Sequence, residues 1–398
     1  MTRKRELILA VYTPTALLAF AQGLLLATLP LYAAGFDVGY TVISLAVSAV
    51  AIGSLATDLP AGFVLHRVGL RNAMVVGTAL VALSTLILGL PERIDVVIAL
   101  RLLAGIGTTL WGLSRHAYIA QAVPRESRGR SIAVFGGINR IGAFGGPAVG
   151  GVIGSSISLE ASFVIAGVMG LLALAAALRF IPADLQLETT TNPSGLSRWQ
   201  VARIAVRTHY RDLIAAGTAQ VFAQMIRQGR QLLIPLIGVT ELGLDAAQVG
   251  LVMTISAVLD MSMFVPAGFL MDRFGRKFAA VPSFAIMAVG VAMLPLVTTY
   301  VGLVLAAALI GFGNGLGSGT MMTLGADLAP PGATGEFLSI WRLIGDLGQV
   351  GGPMAVGVLA TLFGLNGSAF ALAGVGMLAS LTLLFLVKET HHLEPAAA

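Results

Sequence analysis

The apolar positions of the chain fall in long unbroken runs separated by short polar breaks. Twelve runs reach the length of about 20 mostly apolar residues that a membrane-crossing helix needs: 8–32, 41–65, 72–90, 96–121, 131–154, 161–181, 212–238, 247–270, 278–298, 301–326, 337–362 and 367–387. No polar and apolar residues alternate at a period of two within the runs, which excludes the strands of a closed barrel and leaves helices. The first run follows Thr2-Arg-Lys-Arg-Glu, a start like that of a signal peptide. It is too long for a cleavable apolar core and contains Gln22 and Pro30, so it reads as a retained helix. The pattern predicts an all-α membrane protein with twelve transmembrane helices.

Of the 398 residues, 57% are hydrophobic and 11% charged, against about a quarter charged in an ordinary soluble chain. So little polar surface excludes a cytosolic enzyme, a nucleic-acid binder and a disordered scaffold. The net charge of +5 reads as topology. With both ends and the even-numbered breaks on the cytoplasmic side, 17 of the 24 Lys and Arg lie there and only Arg93 lies opposite. The opposite breaks carry Asp37, Glu92, Asp95, Glu160, Glu241 and Asp245. Both termini are therefore expected in the cytoplasm, with the protein in the cell (inner or plasma) membrane. The absence of cysteine removes disulfides, thiolate metal sites and cysteine nucleophiles. His391 and His392 are too isolated for a metal site, and neither metal nor cofactor is expected.

The longest polar break divides the chain into six runs and six, giving bundles over 1–182 and 212–398 joined by a cytoplasmic linker, 183–211. The linker's basic stretch, with Arg198, Arg203, Arg207 and Arg211, fits either a helix on the membrane surface or a solvated one. An offset of 206 relates the halves: Pro60-Ala61-Gly62 to Pro266-Ala267-Gly268, Arg67, Gly69 and Arg71 to Arg273, Gly275 and Lys277, Gly105 and Gly107 to Gly311 and Gly313, Pro124 to Pro330, and Gly146-Pro147 to Gly352-Pro353. Six helices per copy give both the same topology, so the repeat axis runs along the membrane normal, an arrangement of transporters.

The break after the eighth run, Gly268-Phe-Leu-Met-Asp272-Arg273-Phe-Gly275-Arg276-Lys277, resembles the loop signature of the major facilitator superfamily. Gly142-x3-Gly146-Pro147-x2-Gly150-Gly151 in the fifth run is similar to that superfamily's antiporter signature, found chiefly in drug:proton antiporters. Arg101-x3-Gly105-x-Gly107 resembles its helix-4 arginine motif. The resemblance covers essentially the whole chain and implies two six-helix bundles working by alternating access, with His66, Arg67, Asp272, Arg273 and the Gly146-Pro147 and Gly352-Pro353 pairs at gating positions. The first-half loop departs from the family pattern: His66 stands where the family has Asp, which puts a carboxylate latch there in doubt. His66 fits either a pH-sensitive replacement or a solvated loop residue.

Ionisable groups inside a bilayer cost at least about 2.5–3.5 kcal/mol, which makes each a functional candidate. Six Arg lie within the runs, Arg101, Arg115, Arg140, Arg227, Arg230 and Arg342, against Asp58, Asp260 and Asp346. Asp58 is at a depth to meet Arg115 or Arg140, as a packing pair or a proton-coupling one; Arg342 and Asp346 are one turn apart. Asp260 has no partner within its own helix and is the candidate proton carrier, with Asp58, Asp346, Arg101, Arg115 and Arg140 completing the coupling set. Gln220, Gln224, Arg227 and Gln231 share one face of the seventh run, flanked by Arg230. In the superfamily the first, fourth, seventh and tenth helices line the central cavity, which would make this stripe a substrate surface together with Gln22, Trp111 and Asn314. The Arg surplus, and the lack of an acid in the first run, favour neutral, zwitterionic or anionic substrates over lipophilic cations.

The expected function is a secondary transporter, by the antiporter motif one that exports a small organic molecule or drug in exchange for protons. Export or facilitated passage of an organic anion or lipid-like molecule is the alternative. The expected partners are the substrate, protons and the bilayer, with the protein a monomer. An integral-membrane enzyme is disfavoured: H-E-x-x-H and G-x-S-x-G are absent, and Gly315-Leu-Gly-Ser318-Gly is only a near miss.

Overall fold

The computed structural model describes residues 8–122, 125–182, 210–329 and 334–390. The basic stretch through Arg198, Arg203 and Arg207, the pair Pro124 and Pro330, and His391-His392 lie outside the described residues. Every regular element among the described residues is helical. A π turn, Ile8–Tyr12, leads into α1 (Thr13–Ala34). There follow α2 (Tyr40–Val68), α3 (Leu70–Ile87), α4 (Ile94–Ala122), α5 (Arg125–Ser156), α6 (Leu159–Phe180) and α7 (Tyr210–Thr240). Next come α8 (Ala246–Ser262), α9 (Phe264–Phe274), α10 (Arg276–Met293), α11 (Tyr300–Leu316), α12 (Thr320–Asp327) and α13 (Thr334–Phe385).

Among the described residues, nine helical stretches are long and apolar enough to cross a membrane. The α7 helix is not one of them, because its glutamines and arginines lower its hydropathy. Four predicted runs take a different form in the structure. The eighth run is interrupted at Met263 between α8 and α9, and the tenth at Gly317–Gly319 between α11 and α12, with Gly319 left-handed at φ +80°. The eleventh and twelfth runs meet in α13 at Gly364, whose φ of +74° turns the chain.

The chain forms two compact units, Met1–Thr189 with Ile234–Thr254, and Thr190–Leu233 with Ile255–Ala398. Phe163, Met74 and Leu24 are fully buried in the first; Phe284, Phe337 and Ile226 are fully buried in the second. Both are held by close helix contacts, since apolar surface in a bilayer has no hydrophobic drive to associate and packing must supply it. In unit 1 a Cβ on Gly105 would overlap the Val50 carbonyl of α2, and one on Gly146 would overlap Gly23 of α1. In unit 2 a Cβ on Gly311 would overlap the Ser256 carbonyl of α8, and one on Gly352 would overlap Met225 of α7 and approach Gly229.

The offset of 206 thus recurs in three dimensions. It relates both ends of α3 to those of α10 and the start of α4 to that of α11. Arg71 donates to the carbonyls of Ile181 and Leu178; its counterpart Lys277 donates to those of Val387 and Leu384. In each copy a cation sits on the C-terminal carbonyls of the last helix, where the helix dipole favours it.

The α5 helix also packs on residues of α8 that belong to unit 1. A Cβ on Gly151 would overlap the Ala246 carbonyl, and one on Gly250 the Pro147 carbonyl. Ala148 donates its backbone N–H to Thr254 Oγ1 at 3.0 Å, and Ala247 donates its own to Ser155 Oγ at 2.8 Å. Two glycines of α4 provide a matched test of this packing. Gly105 lies against backbone, whereas nothing lies within 4 Å of a Cβ on Gly112. In detergent-solubilised protein, Gly105→Ala is expected to destabilise by about 1–3 kcal/mol through overpacking. Gly112→Ala is expected to be neutral or to stabilise by up to about 1 kcal/mol. Thermal unfolding of the two variants checks this.

Candidate functional site

The α7 stripe lies against a polar network within unit 2. Arg227 donates from Nε to Asn314 Oδ1 at 3.0 Å and from Nη2 to the Gly317 carbonyl at 2.9 Å. Its guanidinium carbon lies 5.0 Å from the ring centroid of the fully buried Phe284. Asn314 passes the connection on, donating from Nδ2 to Asp260 Oδ2 at 2.6 Å. The same carboxylate oxygen is 4.0 Å from Arg230 Nη2. Arg230 donates further to the Arg227 carbonyl at 3.3 Å and to Ser256 Oγ at 3.4 Å. Asp260 Oδ1 is buried and has no hydrogen-bond partner among the described residues.

Local structure explains why these groups converge. The chain leaves helical geometry at Gly317–Gly319, and the C-terminal carbonyls of α11 lose their helical donors there. Arg227 donates to the Gly317 carbonyl, which also accepts from Thr320, while stacking on Phe284, a position suited to a planar, weakly hydrated cation. Asp260 lies just before the α8–α9 interruption. The network therefore joins two interrupted helices through one asparagine. The repeat shows that the fold does not demand it: the first-half equivalents of Arg227, Arg230, Ser256, Asp260, Asn314 and Gly317 are Ala21, Leu24, Val50, Ser54, Thr108 and Trp111.

Elsewhere in unit 2, Gln220 is buried, with Oε1 unpartnered among the described residues and its amide against Gly345. Gln224 and Gln231 are half-buried. Arg342 and Asp346 lie 3.7 Å apart, and Gln349 donates to Asp346 Oδ1. Trp341 is buried and donates from Nε1 to the Met321 carbonyl, fastening α12 to α13.

In unit 1, Arg115 is 8% exposed and stacks 5.9 Å from the ring centroid of the buried Trp111. Arg101 Nε is buried without a hydrogen-bond partner among the described residues. Asp58 and Arg140 are half-buried, and Gln22 and Arg67 exposed. The His66 side chain lies outside the described ones.

At the α9–α10 loop, Asp272 pairs with Arg276 at 3.1 Å, while Arg273 stacks on Phe269 and Phe274. Arg276 also pairs with Asp327 at 3.1 Å, and Glu389 accepts the backbone N–H groups of Arg276 and Lys277 at the start of α10. A carboxylate at a helix N-terminus is favourably placed.

Sequence reasoning missed Phe284, Ser256 and the Gly317 carbonyl. The signal was present in Gly315-Leu-Gly-Ser318-Gly: two glycines around a helix interruption expose a carbonyl, not a nucleophile. It also missed Glu389, which lies far from the loop it joins.

Comparison with known proteins agrees with this architecture. The model of the Major Facilitator Superfamily matches residues 15–227 and 217–398. An MFS-type transporter of Bacillus subtilis, YhjO, is 24% identical over 84% of this chain and 81% of its own. Multidrug resistance protein 2 of the same organism is 25% identical over 42% of this chain and 41% of its own. The crystal structure of a D-xylose-proton symporter superposes with a TM-score of 0.76 at 18% identity, covering 98% of this chain and 99% of that one. With two family matches that together span nearly its whole length, the chain belongs to the major facilitator superfamily and is a membrane transporter, not an enzyme.

Proposed function

We propose that the protein is a proton-coupled antiporter that exports a small organic molecule by alternating access, with Asp260 as the proton carrier. The observation that carries this reading is the network of Arg227, Asn314, Asp260 and Arg230. Asp260 is held through Oδ2, while Oδ1 is buried and open to a proton or to a substrate donor. A proton on Oδ1 leaves the Asn314 bond in place but cancels a Coulomb attraction to Arg230 of about 4 kcal/mol at 4.0 Å and an effective dielectric near 20. Substrate and proton then use one oxygen in alternation, which is what exchange requires.

The reading extends to the rest of the chain. Twelve crossings are organised as bundles over 1–182 and 212–398 with a cytoplasmic linker, 183–211, and both termini face the cytoplasm at the inner or plasma membrane of a monomer. Gln22, Trp111, Gln220, Gln224, Arg227, Arg230, Gln231 and Asn314 serve the substrate. Asp58, Asp346, Arg101, Arg115 and Arg140 serve coupling. His66, Arg67, Asp272, Arg273 and the pairs Gly146-Pro147 and Gly352-Pro353 serve the moving parts. The relative named Multidrug resistance protein 2 supports export, and the antiporter-like glycines of α5 support exchange. A second reading, export or facilitated passage of an organic anion, draws on the two guanidinium groups beside one carboxylate.

Transport in proteoliposomes with an imposed pH gradient tests the coupling. Asp260→Asn is expected to retain substrate counterflow and lose the response to the gradient; a gradient response equal to wild type would sink the assignment. Arg227→Lys keeps the charge but loses the two-armed hold on Asn314 and Gly317, so substrate affinity is expected to fall about 10–100-fold, the range for charge-assisted bonds. Titration of counterflow against substrate concentration reads that change. Orientation is testable because the chain has no native cysteine. A membrane-impermeant maleimide added to intact cells is expected to label Glu92→Cys and to label Asn72→Cys only after permeabilisation.

A further inference from the structure

In unit 1 the end of α1, the α3–α4 break and the start of α6 enclose a cavity of about 400 Å³, a size usual for small-molecule clefts. All three segments lie at odd-numbered breaks, on the side expected to face away from the cytoplasm. None of the residues that line it belongs to the substrate, coupling or gating sets.

The lining is aromatic and acidic. Tyr32 is 8% exposed and packs T-shaped against two rings, with Phe36 at 5.1 Å and Phe163 at 5.0 Å between centroids. Its hydroxyl donates to the Pro91 carbonyl at 3.2 Å, which ties α1 to the α3–α4 break. With that hydrogen committed, Tyr32 Oη offers a further partner only its lone pairs. Gly89 brings the same break against α6, since a Cβ there would meet Glu160 Cβ at 2.9 Å. Glu92 and Glu160 thus line one cavity from two segments. Neither carboxylate is paired with a cation among the described residues. Arg93, beside Glu92 in sequence, is held by both oxygens of Asp95 at 3.1 and 2.8 Å.

The fold does not demand this lining. At the offset of 206, Tyr32, Phe36 and Phe163 correspond to Gly238, Leu242 and Ala369, and Glu92 and Glu160 to Thr298 and Asn366. The rings and the acids are absent together from the second copy.

We infer that this cavity is a binding site for a primary ammonium group. The chemistry follows from the lining. Ionised carboxylates only accept hydrogen bonds, and an ammonium group has three donors and no acceptor. Glu92 and Glu160 supply the charge, while Tyr32 and Phe36 supply rings of the kind on which organic cations rest. Leu31, Leu90 and Leu159 line the same cavity and suit an alkyl stem, which a metal ion lacks. The inference goes beyond the antiport reading and does not depend on it.

Thermal unfolding of the full chain in detergent, titrated with n-butylammonium at constant ionic strength, tests it. Saturable stabilisation is expected that neither butanol nor magnesium reproduces. Glu92→Gln and Glu160→Gln are each expected to weaken butylammonium about 2–5-fold, as loss of a solvent-accessible ion pair should, and the double variant to abolish the effect. Phe36→Leu is expected to weaken it by a similar factor, the range of an exposed cation–aromatic contact. Should Phe36→Leu fail to fold, the two glutamate variants carry the test. No saturable effect on the wild type, an equal effect of butanol or magnesium, or equal effects on wild type and the double variant overturns the site. Nanodiscs of phosphatidylcholine separate the sources of the ammonium group. Competition between butylammonium and added phosphatidylethanolamine supports the site as one for a lipid headgroup, and binding without competition supports it as one for a water-borne amine.

Discussion

The bond between Arg227 and the interrupted end of α11 is the interaction on which the second unit depends. A guanidinium deep among apolar helices has to be satisfied by the protein, because lipid offers it nothing. Arg227 meets that demand with the Gly317 carbonyl, with the face of Phe284 and with the oxygen of Asn314. The orientation of Asn314 is thereby set: its oxygen faces Arg227, so its nitrogen must face Asp260. The carboxylate is held on one oxygen only, and the other is buried without a partner among the described residues. One helix interruption is thus linked, through a single amide, to a carboxylate held by one oxygen. Removing Arg227 would leave an unoriented asparagine as well as a lost charge.

Set against this network, the repeat shows which features belong to the scaffold. Contacts in which one backbone approaches another recur at the offset of 206, as Gly105 on Val50 and Gly311 on Ser256 illustrate. So does the cation on the last helix, Arg71 in one copy and Lys277 in the other. The other charged groups of the second unit's networks do not recur. Arg276, Asp327 and Glu389 join three segments at the end of unit 2, where the first copy has Leu70, Gln121 and Ala183.

This division explains how much was legible beforehand. Helix positions followed from apolar runs, because in a bilayer every backbone group must be satisfied within its own segment. The starts of α3, α10 and α11 fall within two residues of the runs that predict them. The glycine pairs were visible as an offset, because a backbone contact needs only the absence of a side chain. The interruptions at Met263 and Gly317–Gly319 were not visible, since the hydrophobic pattern continues across them and glycine is common in all such helices. The stripe of Gln220, Gln224 and Arg227 was readable as a face, but not the partner that each residue finds. Asn314 was named, yet its bridging role depends on two residues 87 and 54 positions away. The burial of Trp111 among Val11, Leu18 and Tyr118 was equally unreadable, because a helical face does not declare what packs against it.

The asymmetry has a consequence for how a transporter of this kind divides its work. A contact between glycines stores no charge and has no titrating group, so its strength does not change when a proton or substrate arrives. It serves a moving part well, since it is made and broken at little electrostatic cost. The Asp260–Arg230 pair is the opposite, because one proton removes most of its attraction. In the proposed cycle, the proton acts on unit 2 and the close-packed glycines respond.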